Sequence, residues 1–216
     1  MKIVMISDTH GQHKNIKVPA GDLLIHAGDL TMSGRRSDYD SVGEWFQKLN
    51  FPLGIIAIAG NHDFNVQYFK EQVLPALNVT YLENSGVTID GVKFWGSPYT
   101  PEFGRWAFML PRNGDELQEC WAKIPDDINV LITHGPIYGV RDITADGVNA
   151  GCKLLKARAF ELTTLKLHVF GHIHEAAGCT IVSNTQRTVS HVNASVLDEN
   201  YQHNEMAIET YDWPLA

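Results

Sequence analysis

Val169-Phe170-Gly171-His172-Ile173-His174 is an apolar run that ends at a glycine and two histidines. Read as a β-strand rising out of a core, it turns at Gly171, where no side chain obstructs the backbone, and leaves two imidazoles at the strand's carboxyl end. Such an end is a good place for metal ligands. A His-x-His pair alone is more often a surface or core-edge feature than a metal site, so the reading turns on the rest of the chain.

Working outward, the same pattern recurs. Residues 2–7 form a buried run ending in Asp8-Thr9-His10-Gly11, residues 23–27 one ending in Gly28-Asp29, and residues 54–59 one followed by Gly60-Asn61-His62-Asp63. Residues 129–133 lead into His134-Gly135-Pro136. Apolar strands that end in glycine or a polar turn bearing Asp, Asn or His are where open α/β sheets carry their ligand sites. Helices are predicted between them. Val42, Trp45, Phe46 and Leu49 fall at helical spacing, with Ser41 and Glu44 as a capping box near the start. A second helix is predicted from Val66 to Leu74, limited by Pro75, a third through Leu117, Cys120, Trp121 and Ile124, and a fourth over residues 151–162. Asp90-Gly91 predicts a hairpin over residues 87–95. Residues 179–182 and 188–193 read as an antiparallel pair, and residues 207–211 as a last strand. The long segment from Gly96 to Gly114, rich in proline, glycine and aromatics, reads as a functional loop.

Composition narrows the class. With 216 residues, 44% hydrophobic and 19% charged, the chain is expected to fold as one domain over residues 1–216, with no run near membrane-spanning length. The apolar start is too short for a secretory signal, and three cysteines at irregular distances predict a reducing, cytoplasmic setting without disulfides or a thiolate metal site. A net charge of -8 without an extended basic cluster argues against long nucleic acid as partner, and no membrane partner is expected.

Collected, the strand-end residues are Asp8, His10, Asp29, Asn61, His62, His134, His172 and His174. If the strands belong to neighbouring sheets, two carboxylates, an amide and several imidazoles converge, a density that makes sense around cations. Asp-x-His, Gly-Asp, Gly-Asn-His-Asp, His and Gly-His-x-His in this order resemble the signature of the calcineurin-like metallophosphoesterases, with all five motifs present. Phe94 to Pro98, Leu110-Pro111-Arg112, Arg141-Asp142, Gly151-Cys152 and Asn193-Ala194-Ser195 extend the resemblance to the branch of metallophosphoesterase-domain-containing proteins related to a fetal-brain phosphodiesterase.

The resemblance implies an α/β four-layer sandwich of two mixed sheets flanked by helices. It also implies two metal ions per chain, one held by Asp8, His10, Asp29 and His174, the other by Asp29, Asn61, His134 and His172. Asp29 would bridge, because a carboxylate has two oxygens. Nitrogen and oxygen donors suit manganese, iron, zinc or cobalt, with manganese favoured. Two cations sharing a water make hydroxide available near neutral pH for in-line attack on phosphorus. His62, which follows a ligand without being one, is the candidate for the leaving group, with Asp63 orienting its ring. Arg112, Arg141 and Asn193 are candidate substrate contacts. Among aromatics, Trp95, Tyr99, Trp106 and Phe108 read first as packing and second as a nucleobase wall. His26 reads as a hydrogen-bonded core residue, His13 and His203 as surface residues, and His168 as facing away from the site; His191 is a candidate supporting residue.

The expected partner is a small phosphate ester or nucleotide, and the oligomeric state is open. Phosphodiesterase action on small diesters such as cyclic nucleotides leads. The alternatives are a phosphomonoesterase or nucleotide pyrophosphatase and, in another class, a nucleotide-binding scaffold with weak catalysis.

Overall fold

The computed structural model describes residues 1–185, 187–204 and 208–214. Its chain order begins β1 (Lys2–Ile6), β2 (Leu23–His26), α1 (Arg36–Phe46), β3 (Ile55–Ala57), α2 (Phe64–Leu77) and β4 (Thr80–Tyr81). It continues with β5 (Ser85–Ile89), β6 (Val92–Ser97), β7 (Thr100–Pro101), β8 (Met109–Leu110), α3 (Asp115–Ala122), β9 (Val130–Thr133) and α4 (Lys153–Glu161). The last elements are β10 (Leu167–Phe170), β11 (Gly178–Ser183), β12 (Thr188–Asn193) and β13 (Thr210–Asp212). Two mixed sheets result, one ordered β13-β1-β2-β3-β4, the other β11-β12-β10-β9-β6-β5.

Alternation along the strands builds the layers. Ile3, Met5, Leu23 and Ile25 face Phe94, Val130, Ile132 and Val169 across the space between the sheets. Val4, Ile6 and Leu24 point the other way, onto Tyr39, Val42 and Phe46 of α1 and Val73 of α2. On the far side Trp95 and Leu131 meet Leu117 and Trp121 of α3 and Leu155 of α4. The four-layer sandwich that the family resemblance implies is therefore the fold. β1, β2 and β3 run parallel, as do β6, β9, β10 and β12, so their carboxyl ends gather at one edge. There Ser7, just past β1, bridges Ser195, just past β12, and joins the two sheets.

Several local expectations change. The apolar stripe of α1 begins a turn earlier, at Tyr39, so Ser41 lies inside the helix and no capping box forms. Its hydroxyl instead meets His13 Nε2 at 3.1 Å, and His13 is buried against Trp45, not at the surface. Pro75 does not end α2, which runs on to Asn78 in a left-handed cap. The interruption comes at Phe69, and the end of the helix is held against α1, where a Cβ on Gly43 would stand 1.9 Å from the Ala76 carbonyl. Asp90 and Gly91 both have positive φ and close the β5–β6 hairpin as anticipated. The long loop carries the small β7–β8 pair, and the last strand begins at Thr210. Ala207, where that strand was expected to start, lies outside the described residues. Among the described residues no helix is long and apolar enough to cross a membrane.

Candidate metal centre

Asp8, His10, Asp29 and His172 all adopt positive φ, between 43° and 72°. Left-handed backbone is uncommon for residues other than glycine and clusters where the fold over-determines a functional turn. Here the turns are pinned by one another: Asp8 N donates to Gly28 O, His10 N to Asp29 O, and His172 N to Asp8 Oδ2. Glycines make room for this. A Cβ on Gly60 would stand 2.2 Å from Asp29 Oδ1, and one on Gly171 would stand 1.9 Å from Asp8 Oδ2.

The seven candidate ligands converge. His10 Nε2 and His174 Nε2 are 3.2 Å apart, with Asp8 Oδ1 3.4 Å from the second. Asp29 Oδ2 lies 3.6 Å from His10 Nε2 and 3.4 Å from His134 Nε2, and so faces both halves of the site. Its other oxygen accepts from the His62 amide, which leaves Oδ2 to the site. Asn61 Oδ1 is 2.9 Å from His134 Nε2, and the His172 ring stands 5.0 Å from that of His134.

The donor set fits cations. Among the described residues Asp8 Oδ1 and His10 Nδ1 are buried without a hydrogen-bond partner, a costly state for a carboxylate oxygen unless a positive charge sits beside it. Burial works against a charged ring at His134 and His174, yet Asp29 and Asp8 outweigh it and push both up to about 9. Each is oriented through Nδ1, His134 to Ala27 O and His174 to Asp198 O, which leaves Nε2 turned to the site. The same two carboxylates would favour a cation in place of the ring protons. Burial holds His10 at about 4 and His172 at about 3, so these two are already neutral donors.

His62 and Asp63 divide differently than expected. His62 Nδ1 donates to Met32 O at 2.7 Å, and the ring packs on Trp106 at 4.5 Å and edge-on to His10 at 4.6 Å. Asp63 does not touch it. The Asp63 carboxylate is fully buried and accepts from Leu30 N, Thr31 N, Thr31 Oγ1 and Gly60 N at 2.9–3.1 Å, clamping the turn after Asp29 to the turn before Asn61. Burial and the charge of Asp29 push this carboxyl up to about 6 in spite of those donors.

The centre opens into a cleft of about 410 Å³. Of the three candidate substrate contacts, Arg112 lines it, with one nitrogen bound to Ala150 O and Gly151 O. Arg141 and Asn193 do not. The Arg141 guanidinium is consumed by Thr180 Oγ1, Ala177 O and Cys179 O, which ties a loop to β11. Asn193 donates to Ile173 O and accepts from Ser195 N, and Ser195 Oγ, with a single proton to donate, lies 2.8 Å from both Asn193 Oδ1 and Asp8 Oδ2. It supports the ligand turns from behind. His168 bonds Thr133 Oγ1 and His191 and faces away from the cleft, His26 bonds Thr9 in the core, and His203 is exposed. Trp95, Tyr99 and Phe108 pack inside, whereas Trp106 is 40% exposed in the cleft with Phe103 nearby. Sequence reasoning missed Phe103 and Tyr201, and named Ser195 only within the resemblance, without a role. Ser195 follows a strand end like the ligands and was findable by that rule; Tyr201 carries no such signal.

Residues 1–176 match the family model described as calcineurin-like phosphoesterase. The human metallophosphoesterase domain-containing protein 1 is 36% identical over 93% of this chain and 68% of its own length. A probable cyclic nucleotide phosphodiesterase of Synechococcus is 28% identical over 75% of this chain and 61% of its own. Among solved structures, the NAD nucleotidase of Haemophilus influenzae superposes with a TM-score of 0.47 at 14% identity, covering 89% of this chain and 44% of the nucleotidase. On the family match and the first of these relatives, this chain belongs to the calcineurin-like phosphoesterases, a family of metal-dependent phosphoester hydrolases.

Proposed function

We propose that the protein hydrolyses small phosphodiesters, cyclic nucleotides among them, with two metal ions held by Asp8, His10, Asp29 and His174 and by Asp29, Asn61, His134 and His172. The observation that carries the diester preference is the charge of the cleft. Glu175 and Glu199 line it against one arginine, Arg112. A monoanionic diester meets less repulsion from such a wall than a dianionic monoester or a polyphosphate. The exposed faces of Trp106 and Phe103 suit an aromatic or nucleobase substituent. The naming of the Synechococcus relative agrees with this class.

When bound, the ions supply Lewis acidity toward phosphoryl oxygens and lower the pKa of water. Asp29 Oδ2 keeps the two halves of the site at one spacing. Because Met32 O can only accept, His62 carries a proton on Nδ1 and turns Nε2 to the substrate. Protonated there, it delivers that proton to the departing oxygen; Trp106 stacks on the ring and restricts its rotation. Arg112 keeps its remaining N–H groups for a non-bridging phosphate oxygen.

Manganese-loaded protein assayed on bis(p-nitrophenyl) phosphate and on p-nitrophenyl phosphate tests this. The diester is expected to be cleaved with the higher kcat/KM. Preference for the monoester would move the reading to phosphomonoesterase, and metal-dependent cleavage of neither would leave a binding protein.

A further inference from the structure

The family match ends at residue 176, yet the cleft has a wall built from residues beyond it. Residues 197–203 close into a turn: Asp198 N donates to Gln202 O, Asp198 Oδ1 accepts from Asn200 N and Gln202 N, and Leu197 bridges His203. The turn is fastened to the site, since Asp198 O accepts from His174 Nδ1 and Tyr201 O accepts from Gln12 Nε2 at 2.8 Å. At its tip Tyr201 sits at φ 58°, a conformation unfavourable for a bulky residue and maintained by these bonds. The phenol ring lies over the centre, edge-on to His10 at 5.0 Å and to His174 at 5.5 Å. Its hydroxyl makes no hydrogen bond among the described residues, and the side chain lines the same cleft as His62 and Arg112.

A tyrosine that only filled space would not need a strained backbone held by bonds from three sides. We infer that Tyr201 is a substrate-binding residue whose hydroxyl donates a hydrogen bond to a non-bridging phosphate oxygen, on the side of the cleft formed by Asp8, His10 and His174. The inference rests on the phosphodiesterase reading for its substrate, but the phosphate contact can be measured without turnover. A neutral phenol is well suited to this wall. It adds a donor beside Glu199 without adding a cation that would retain a dianionic product.

The test uses the full chain loaded with manganese, as wild type, Tyr201→Phe and Tyr201→Ala. Orthophosphate is titrated by calorimetry, metal content is counted, and KM and kcat are measured on bis(p-nitrophenyl) phosphate. Tyr201→Phe is expected to keep two manganese ions per chain, weaken orthophosphate about tenfold and raise KM by a similar factor, with kcat changed less. Tyr201→Ala should weaken orthophosphate at least as much. Wild-type phosphate affinity in Tyr201→Phe, or loss of manganese from it, overturns the assignment and leaves the residue a structural one. If the wild type hydrolyses neither ester, the diesterase reading falls, while the orthophosphate titration still decides the role of Tyr201.

Discussion

Replacing Asp63 by alanine should unfold the ligand turns before it touches chemistry. Its carboxylate is the acceptor for three buried backbone N–H groups, those of Leu30, Thr31 and Gly60, and for the Thr31 hydroxyl. Each buried backbone N–H left without an acceptor costs about 1–3 kcal/mol, so the three N–H groups together cost on the order of 3–9 kcal/mol, while the Thr31 hydroxyl can rotate to another acceptor. Water entering the vacated space brings the expected loss toward the lower end, about 3–4 kcal/mol. Asp63→Asn keeps one oxygen, which can serve Thr31 or the Leu30 and Gly60 pair, and sets an amide N–H against the other; about 2–4 kcal/mol should go. Urea unfolding of metal-free protein measures both, so that metal binding does not mask the effect. Stability within about 1 kcal/mol of wild type in Asp63→Ala would refute the clamp. A stable Asp63→Asn with an altered pH profile of turnover would restore Asp63 as the orienting partner of His62.

Three other outcomes are expected. His172→Gly should lose one of two bound ions and most of its turnover while keeping the fold; two ions per chain by metal analysis would show that His172 is not a ligand. His62→Asn should keep both ions and lose turnover by about 100-fold, in the range of general acid catalysis, and full activity with metals bound would remove His62 from the mechanism. The third concerns pH. His134 and His174 are raised to about 9 in the metal-free fold, so their contribution to its stability is complete below about 6.5, the ordinary histidine value, and is lost as pH rises through about 9. Loading must displace those protons, so manganese added to metal-free protein at pH 7 in weak buffer should release about two per chain from these rings, and up to about one more from the water the ions would share. His10 and His172, held neutral by burial, contribute none. Release near zero, or near four, would mean that the electrostatic reading of the centre is wrong.

What was legible in the sequence was the part governed by strand ends. Each ligand follows an apolar run directly, and a run of alternating or continuous apolar residues fixes both the strand and the edge at which it stops. The misreadings share a cause: they concern side chains whose partner is far along the chain. Ser41 has the sequence position of a helix cap, but its partner is His13, and the helix stripe begins at Tyr39, which packs on the sheet. Pro75 ends a helix by local rules, yet the contact with Gly43 of α1 carries α2 past it. Asp63 stands next to His62 in sequence and serves the turn after Asp29 instead, while Arg141 is spent on β11. Tyr201 was invisible because a turn gives no periodic signal and its neighbours His10 and His174 lie on other elements.

The central claim, that seven strand-end residues form one centre for two ions and that both are needed, is tested most directly by stepwise addition of manganese to metal-free protein. Bound metal is counted and hydrolysis of bis(p-nitrophenyl) phosphate is followed at each step. Two ions per chain, with turnover rising only as the second binds, is the result predicted. Saturation at one ion per chain, or full turnover after the first, would contradict it.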